Sequence, residues 1–330
     1  MSKQSKSFYF LRILAAFIIV GGGIYWLLKN QRSAAEKVIT LLPKFSASCL
    51  LWVLLLDGLQ IFFMAMRFWF LYPKEHRTSI SKVFAAMSIG QTMNAFLPAR
   101  AGDFYKVASL SPKPAKPDFN ILTLTGILAA DKLVDLTTFL VLIFALGSYK
   151  ESSKSIGTPS PLFWKVFLGF VVIFALVWPR YLKNRFGKLA LWFFQFLKGL
   201  KTLLSPKQLF FALCMAVVVW LTEALALKLL SLYQNYPLSL TQAFFALTVL
   251  NLAIAVPISI ANIGPFEASL AFAINQLGVP LETALAIATV HHGLQVVAYI
   301  LTGILGWGIN HRLKTYKEPK PLAVESNGRP

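Results

Sequence analysis

Long apolar runs separated by short polar loops set the pattern of this chain. Runs long enough to cross about 30 Å of hydrocarbon fall at residues 8–28, 48–71, 119–147, 162–179, 208–233 and 281–309. Two further apolar stretches, 83–110 and 240–277, are interrupted by proline, glycine and charged residues. The pattern predicts an all-α polytopic membrane protein with about six full spans plus two broken re-entrant hairpins.

Composition supports the membrane class: hydrophobic residues make up 57% of the 330 and charged residues only 14%, with 28 Phe. A formal net charge of +19 raises nucleic acid as a partner, but the Lys and Arg lie in loops between spans, so anionic lipid headgroups are the expected counterions. Cys49 and Cys214 both fall inside spans, which excludes a disulfide framework and a zinc site. Lys3, Lys6 and Arg12 precede the first run as in a signal sequence, but no small-residue cleavage site follows, so that run reads as an uncleaved first helix. No HExxH-type metal motif, P-loop, nucleophile elbow or dinucleotide fingerprint occurs, so no metal, cofactor or catalytic residue is expected.

With the N-terminus placed in the cytoplasm, most Lys and Arg fall in cytoplasmic loops, as the positive-inside rule requires; Lys29, Arg32, Lys37 and Lys44 run against it. This predicts a multi-pass protein of the cell inner membrane with both termini cytoplasmic. Each half then contains two spans, a broken hairpin and a third span. That is an odd number of crossings, so the halves, about 8–147 and 162–309, are inverted within one domain over 1–310. Residues 183–204, "KNRFGKLALWFFQFLKGLKTLL", predict an amphipathic helix on the cytoplasmic leaflet. The tail 311–330 is polar and is expected to be disordered.

The two breaks share a grammar. The first reads Pro98-Ala-Arg100-Ala-Gly102-Asp103-Phe104, and the second runs from Pro257 to Asn262-Ile-Gly264-Pro265-Phe266-Glu267. Proline ends one half-helix, glycine permits the reversal, and an acidic residue opens the next helix where free N–H groups favour an anion. Non-helical backbone at membrane depth must be buried in protein or line a wet cavity, and paired interruptions in two halves point to a transporter-like site. Ordinary kinked helices in a structural bundle are the alternative.

Charges inside spans are costly and need partners or water. Arg100 has the planar fork that grips phosphate, and a salt bridge to Asp103 or another span carboxylate is its structural alternative. Lys106, one turn beyond Asp103, guides a headgroup or snorkels to the interface. Asp131 and Asp135, four apart, share a helix face and invite Arg100, with Lys132 rotated away; a span end at the interface, or a proton relay, would also explain them. Arg67 and Lys228 are expected to snorkel, while Asp57 and Glu223 are weaker site candidates with local pairing as the equal alternative. One of His291 and His292 could titrate near neutral pH, although a packing histidine is the commoner case.

These residues carry a resemblance. "NAFLPARAGDFYKVASL" resembles the Asn-x-x-x-Pro-x-Arg-x-Gly-acidic-x-x-(Arg/Lys) signature of the lysylphosphatidylglycerol synthase transmembrane-region family. "ADKLVDL" and "PISIANIGPFEASL" resemble its Glu-Arg-x-x-Asp and Pro-Gly-Gly-x-Gly-x-x-Glu elements. The chain departs from the pattern with Asp at 103 and 131, Lys at 132 and a partial glycine run. Family members are similar to the flippase half of the multiple peptide resistance factor, which moves aminoacylated phosphatidylglycerol across the bacterial inner membrane. Other relatives sit beside lipid-linked sugar pathways. The resemblance implies a site at Asn94, Pro98, Arg100, Gly102, Asp103, Lys106, Asp131, Lys132, Asp135, Gly264 and Glu267. Its implied partners are membrane phospholipids, anionic or aminoacylated, with a homo-oligomer left open and nucleic acid not expected. No aminoacyl-transferase domain is read in the chain, so a translocase rather than a synthase is expected. A membrane-embedded enzyme or accessory subunit of a lipid-linked sugar pathway, and an assembly scaffold, are the alternatives.

Overall fold

The computed structural model describes residues 40, 45–97, 100–112, 119–147, 187–254 and 262–315. The expected spans at 8–28 and 162–179, the prolines Pro98 and Pro257, and residues 316–330 of the expected tail lie outside these residues, whereas its first five residues, 311–315, continue the last helix. The described chain is all-helical: α1 (Ala47–Leu71), α2 (Ile80–Phe96), α3 (Ala101–Leu110), α4 (Ile121–Gly147), α5 (Gly187–Leu200), α6 (Pro206–Tyr233), α7 (Leu240–Ile254), α8 (Pro265–Asn275) and α9 (Leu281–Thr315). By length and composition, α1, α6 and residues 281–313 of α9 can each cross a membrane.

Helix starts follow local chemistry. The Ser46 hydroxyl accepts from the Cys49 N–H ahead of α1, and the Ser79 hydroxyl accepts from the Lys82 N–H ahead of α2. Pro206 occupies the first turn of α6, where a missing N–H costs nothing.

Both broken stretches fold as helical hairpins, with α2 packed on α3 and α7 on α8. In the first hairpin the arms nearly touch: a Cβ built on Gly102 would lie 1.8 Å from the Gly90 carbonyl oxygen. Only glycine at both positions permits that approach.

The centre of the bundle is the α1–α6 pair, which runs antiparallel. Gln208 Nε2 near the start of α6 donates to the Tyr72 carbonyl just past the end of α1 (3.0 Å), and Gln60 Nε2 donates to Glu223 farther along (3.0 Å). The α2–α9 pair is also antiparallel, with Thr92 Oγ1 donating to the Tyr299 carbonyl (2.5 Å) and Ser88 set against Gly306. The buried apolar side chains form two clusters. One joins the C-terminal half of α1 to α2, α3, α4 and the start of α6; the other joins the N-terminal half of α1 to the rest of α6, α7, α8 and α9. Helix α5 packs on α4 through Gly126 and Gly199, with Asn120 bonded to Gln195.

Candidate functional site

The site assembles around the first hairpin. Arg100 precedes α3 in the left-handed region (φ 52°, ψ 44°), so that Asp103 falls in the third position of the helix, where backbone N–H groups have no intrahelical acceptor. The second hairpin also has a positive-φ residue before its helix and an acid in the third position, although the backbone at that residue differs. Gly264 precedes α8 with φ 91°, Pro265 follows, and Glu267 stands in the third position, its Oε2 accepting from the Gly264 N–H (2.8 Å).

Each acid has a cationic or imidazole partner. Lys106 is fully buried, and its Nζ bonds to Asp103 Oδ1 (2.8 Å) and Gln91 Oε1 (2.6 Å). Asn94 Nδ2 also reaches Asp103 Oδ1 (3.0 Å), while Asn94 Oδ1 is buried without a hydrogen-bond partner. Glu267 Oε1 meets His292 Nδ1 (2.7 Å), and the imidazole stacks on Phe266 with ring centres 4.2 Å apart. The hairpins therefore present a lysine–aspartate–amide cluster in one half and a glutamate–histidine pair in the other.

Lys106 does not snorkel; it spans from α3 to α2. Arg100 is exposed and makes no salt bridge among the described residues.

The carboxylates on α4 are held by a different arginine. Arg67 of α1 is fully buried, with Nε 2.7 Å from Asp131 Oδ1, its second terminal nitrogen 3.2 Å from Asp131 Oδ2, and the other bonded to Asp135. This corrects two expectations, that Arg67 reaches the surface and that Arg100 serves Asp131 and Asp135. The physical reason is burial: Arg67 faces α4 across the core, and a bidentate grip satisfies charges that water cannot reach. Asp131 and Asp135 thus join two helices, whereas Lys132 is half-buried and its charge acts on Asp103 and Lys106. Of the expected residues, Asn94, Gly102, Asp103 and Lys106 meet in one cluster with Lys132 near it. Gly264 and Glu267 meet in another, and Asp131 and Asp135 form a third with Arg67.

Sequence reasoning missed Gln91 and Gly90. Gln91 lies three residues before Asn94, one turn away on the same face of α2, which was a readable signal. Gly90 lacked one, because its role depends on where α3 lands.

No curated protein and no solved structure matches the chain. One protein-family model, described as lysylphosphatidylglycerol synthase TM region, matches residues 13–303. That match takes in both hairpins, α4 and α9 as far as Gly303. The chain therefore belongs to the lysylphosphatidylglycerol synthase transmembrane-region family.

Proposed function

We propose that this protein is a lipid translocase, a flippase or scramblase that carries a phosphate-bearing headgroup across the cytoplasmic membrane through a polar cavity between two re-entrant hairpins. The observation that carries the reading is the cluster at the first break: fully buried Lys106, with Asp103, Gln91 and an Asn94 oxygen that has no partner, beside exposed Arg100. Maintaining such groups inside an apolar bundle is costly, and ligand chemistry explains why they are kept.

Arg100 meets the phosphate, and Lys132 adds positive charge nearby. Asp103 and Glu267 offer counter-charge to a cationic headgroup such as an aminoacyl ester, the lipid type the family description suggests. The antiparallel course of α1 and α6, each the span before its hairpin, favours an inverted repeat with the hairpins entering from opposite faces. Both termini are then cytoplasmic. The chemistry is movement rather than bond cleavage, since Asp131 and Asp135 are already engaged by Arg67 and are poor acid–base candidates.

Retention of labelled phosphatidylglycerol and its lysyl ester by the purified protein tests the site. Arg100→Ala and Lys106→Met are expected to lose headgroup-dependent retention while remaining monodisperse. Equal retention of all lipids by wild type and both variants would remove the site from the account.

A further inference from the structure

A second polar cluster lies in the α1–α6 interface, outside the hairpins. Asp57 and Gln60 are three residues apart and so share the face of α1 turned to α6, where Gln60 Nε2 donates to Glu223 Oε2 at 3.0 Å. Asp57 is 1% exposed, and neither of its carboxylate oxygens has a hydrogen-bond partner. Glu223 is 8% exposed and close enough for its charge to act on Asp57; both charges act on the Tyr299 hydroxyl of α9.

Among the described residues, the groups facing this pair supply no cation. From α4, Asp135 adds negative charge at Glu223. Arg67, farther along the same stripe of α1, is engaged by Asp131 and Asp135. From α9 comes Tyr299; two turns earlier along that helix His291 is fully buried with both ring nitrogens unpartnered, and His292 is bound to Glu267. Helix α7 carries no charged residue, and Lys82, the one on α2, sits in its first turn. Desolvation and like charge both oppose ionising two carboxyl groups side by side in an apolar interface.

We propose that Asp57 and Glu223 form a proton-binding carboxyl pair inside the membrane and that its proton drives lipid movement. The pair takes up a proton in one state of the bundle and releases it in the other, with the Tyr299 hydroxyl, on which both charges act, as the transfer group. Helix α2 links this pair to the hairpin site: Thr92 bonds to the Tyr299 backbone, while Gln91 and Asn94 hold Lys106 and Asp103. The proton-binding half stands on the α1–α6 geometry alone; the coupling half rests on the translocase reading.

Two measurements on the full chain separate these halves. Infrared difference spectra across a pH titration in nanodiscs should contain the carbonyl band of a protonated carboxyl at neutral pH, lost in Asp57→Asn or Glu223→Gln. A band absent from wild type, or unchanged in both isosteric variants, overturns the pair. In proteoliposomes under an imposed pH gradient, wild-type leaflet exchange should change several-fold with gradient direction, whereas Asp57→Asn should exchange lipid at a gradient-independent rate. Wild-type exchange indifferent to the gradient overturns the coupling and leaves the translocase standing. No exchange by wild type removes both translocase and coupling, while the infrared result still decides the pair.

Discussion

The Cα of Gly102 lies so close to the Gly90 carbonyl that a Cβ there would overlap it at 1.8 Å, and this contact closes the first hairpin. A Cβ on Gly90 would meet Lys106 Cγ at 2.5 Å, so the glycine that admits α3 also makes room for the buried lysine. Gly102→Ala is therefore expected to destabilise the protein by about 2–3 kcal/mol, at the upper range for forced overpacking, because backbone rather than a flexible side chain must move. Gly58→Ala meets nothing within 4 Å and should leave stability unchanged or slightly raised. Denaturant titration in detergent compares the two.

Arg100 allows fold and function to be separated. It occupies the left-handed region, which costs an ordinary residue about 1–2 kcal/mol, and its side chain is exposed. Arg100→Gly should stabilise the fold by up to about 1 kcal/mol while weakening headgroup retention. A variant that is more stable and retains lipid equally well would show that the guanidinium has no part in binding.

Arg67 is expected to be the most sensitive charge in the core. Arg67→Gln would leave Asp131 and Asp135 buried without their cation, a loss of about 3–5 kcal/mol by the usual behaviour of broken buried pairs. Adding Asp131→Asn and Asp135→Asn should recover much of that loss, because the stranded charges go with it. A cycle in thermal unfolding that is strictly additive would contradict the pairing.

In the second hairpin, Glu267→Ala removes both the bond from the Gly264 N–H and the contact with His292, and should cost about 1–2 kcal/mol. Glu267→Gln retains an acceptor for the N–H and should recover part of the stability. Lipid exchange in Glu267→Gln then reports whether the carboxylate's charge matters beyond its capping role.

Local grammar made both hairpins legible in the sequence. Glycine, proline and an acid within a few residues act on their own backbone, so α3 opens with Asp103 and α8 with Glu267 as that grammar requires. Long-range pairing was not legible in this way. Asp131 and Asp135 could attract either Arg67 or Arg100, and the choice depends on which face of α1 meets α4, residues 64 and 68 positions apart in the chain. Asp57, Gln60 and Arg67 do fall on one stripe of α1, a spacing that could have marked Arg67 as inward-facing. Gly90 offered no signal, since a glycine in a helix acquires its meaning only from the backbone that lands on it.

The central claim, that the first hairpin handles a lipid headgroup in transit, is tested most directly by leaflet exchange in proteoliposomes. The lipids are labelled phosphatidylglycerol, its lysyl ester and a polyprenyl-phosphate sugar, and the proteins are wild type, Arg100→Ala and Lys106→Met, each verified as folded. The account predicts headgroup-selective exchange by wild type that falls at least tenfold in both variants. Exchange no faster than in empty liposomes for every lipid, or exchange unaffected by either substitution, would contradict it.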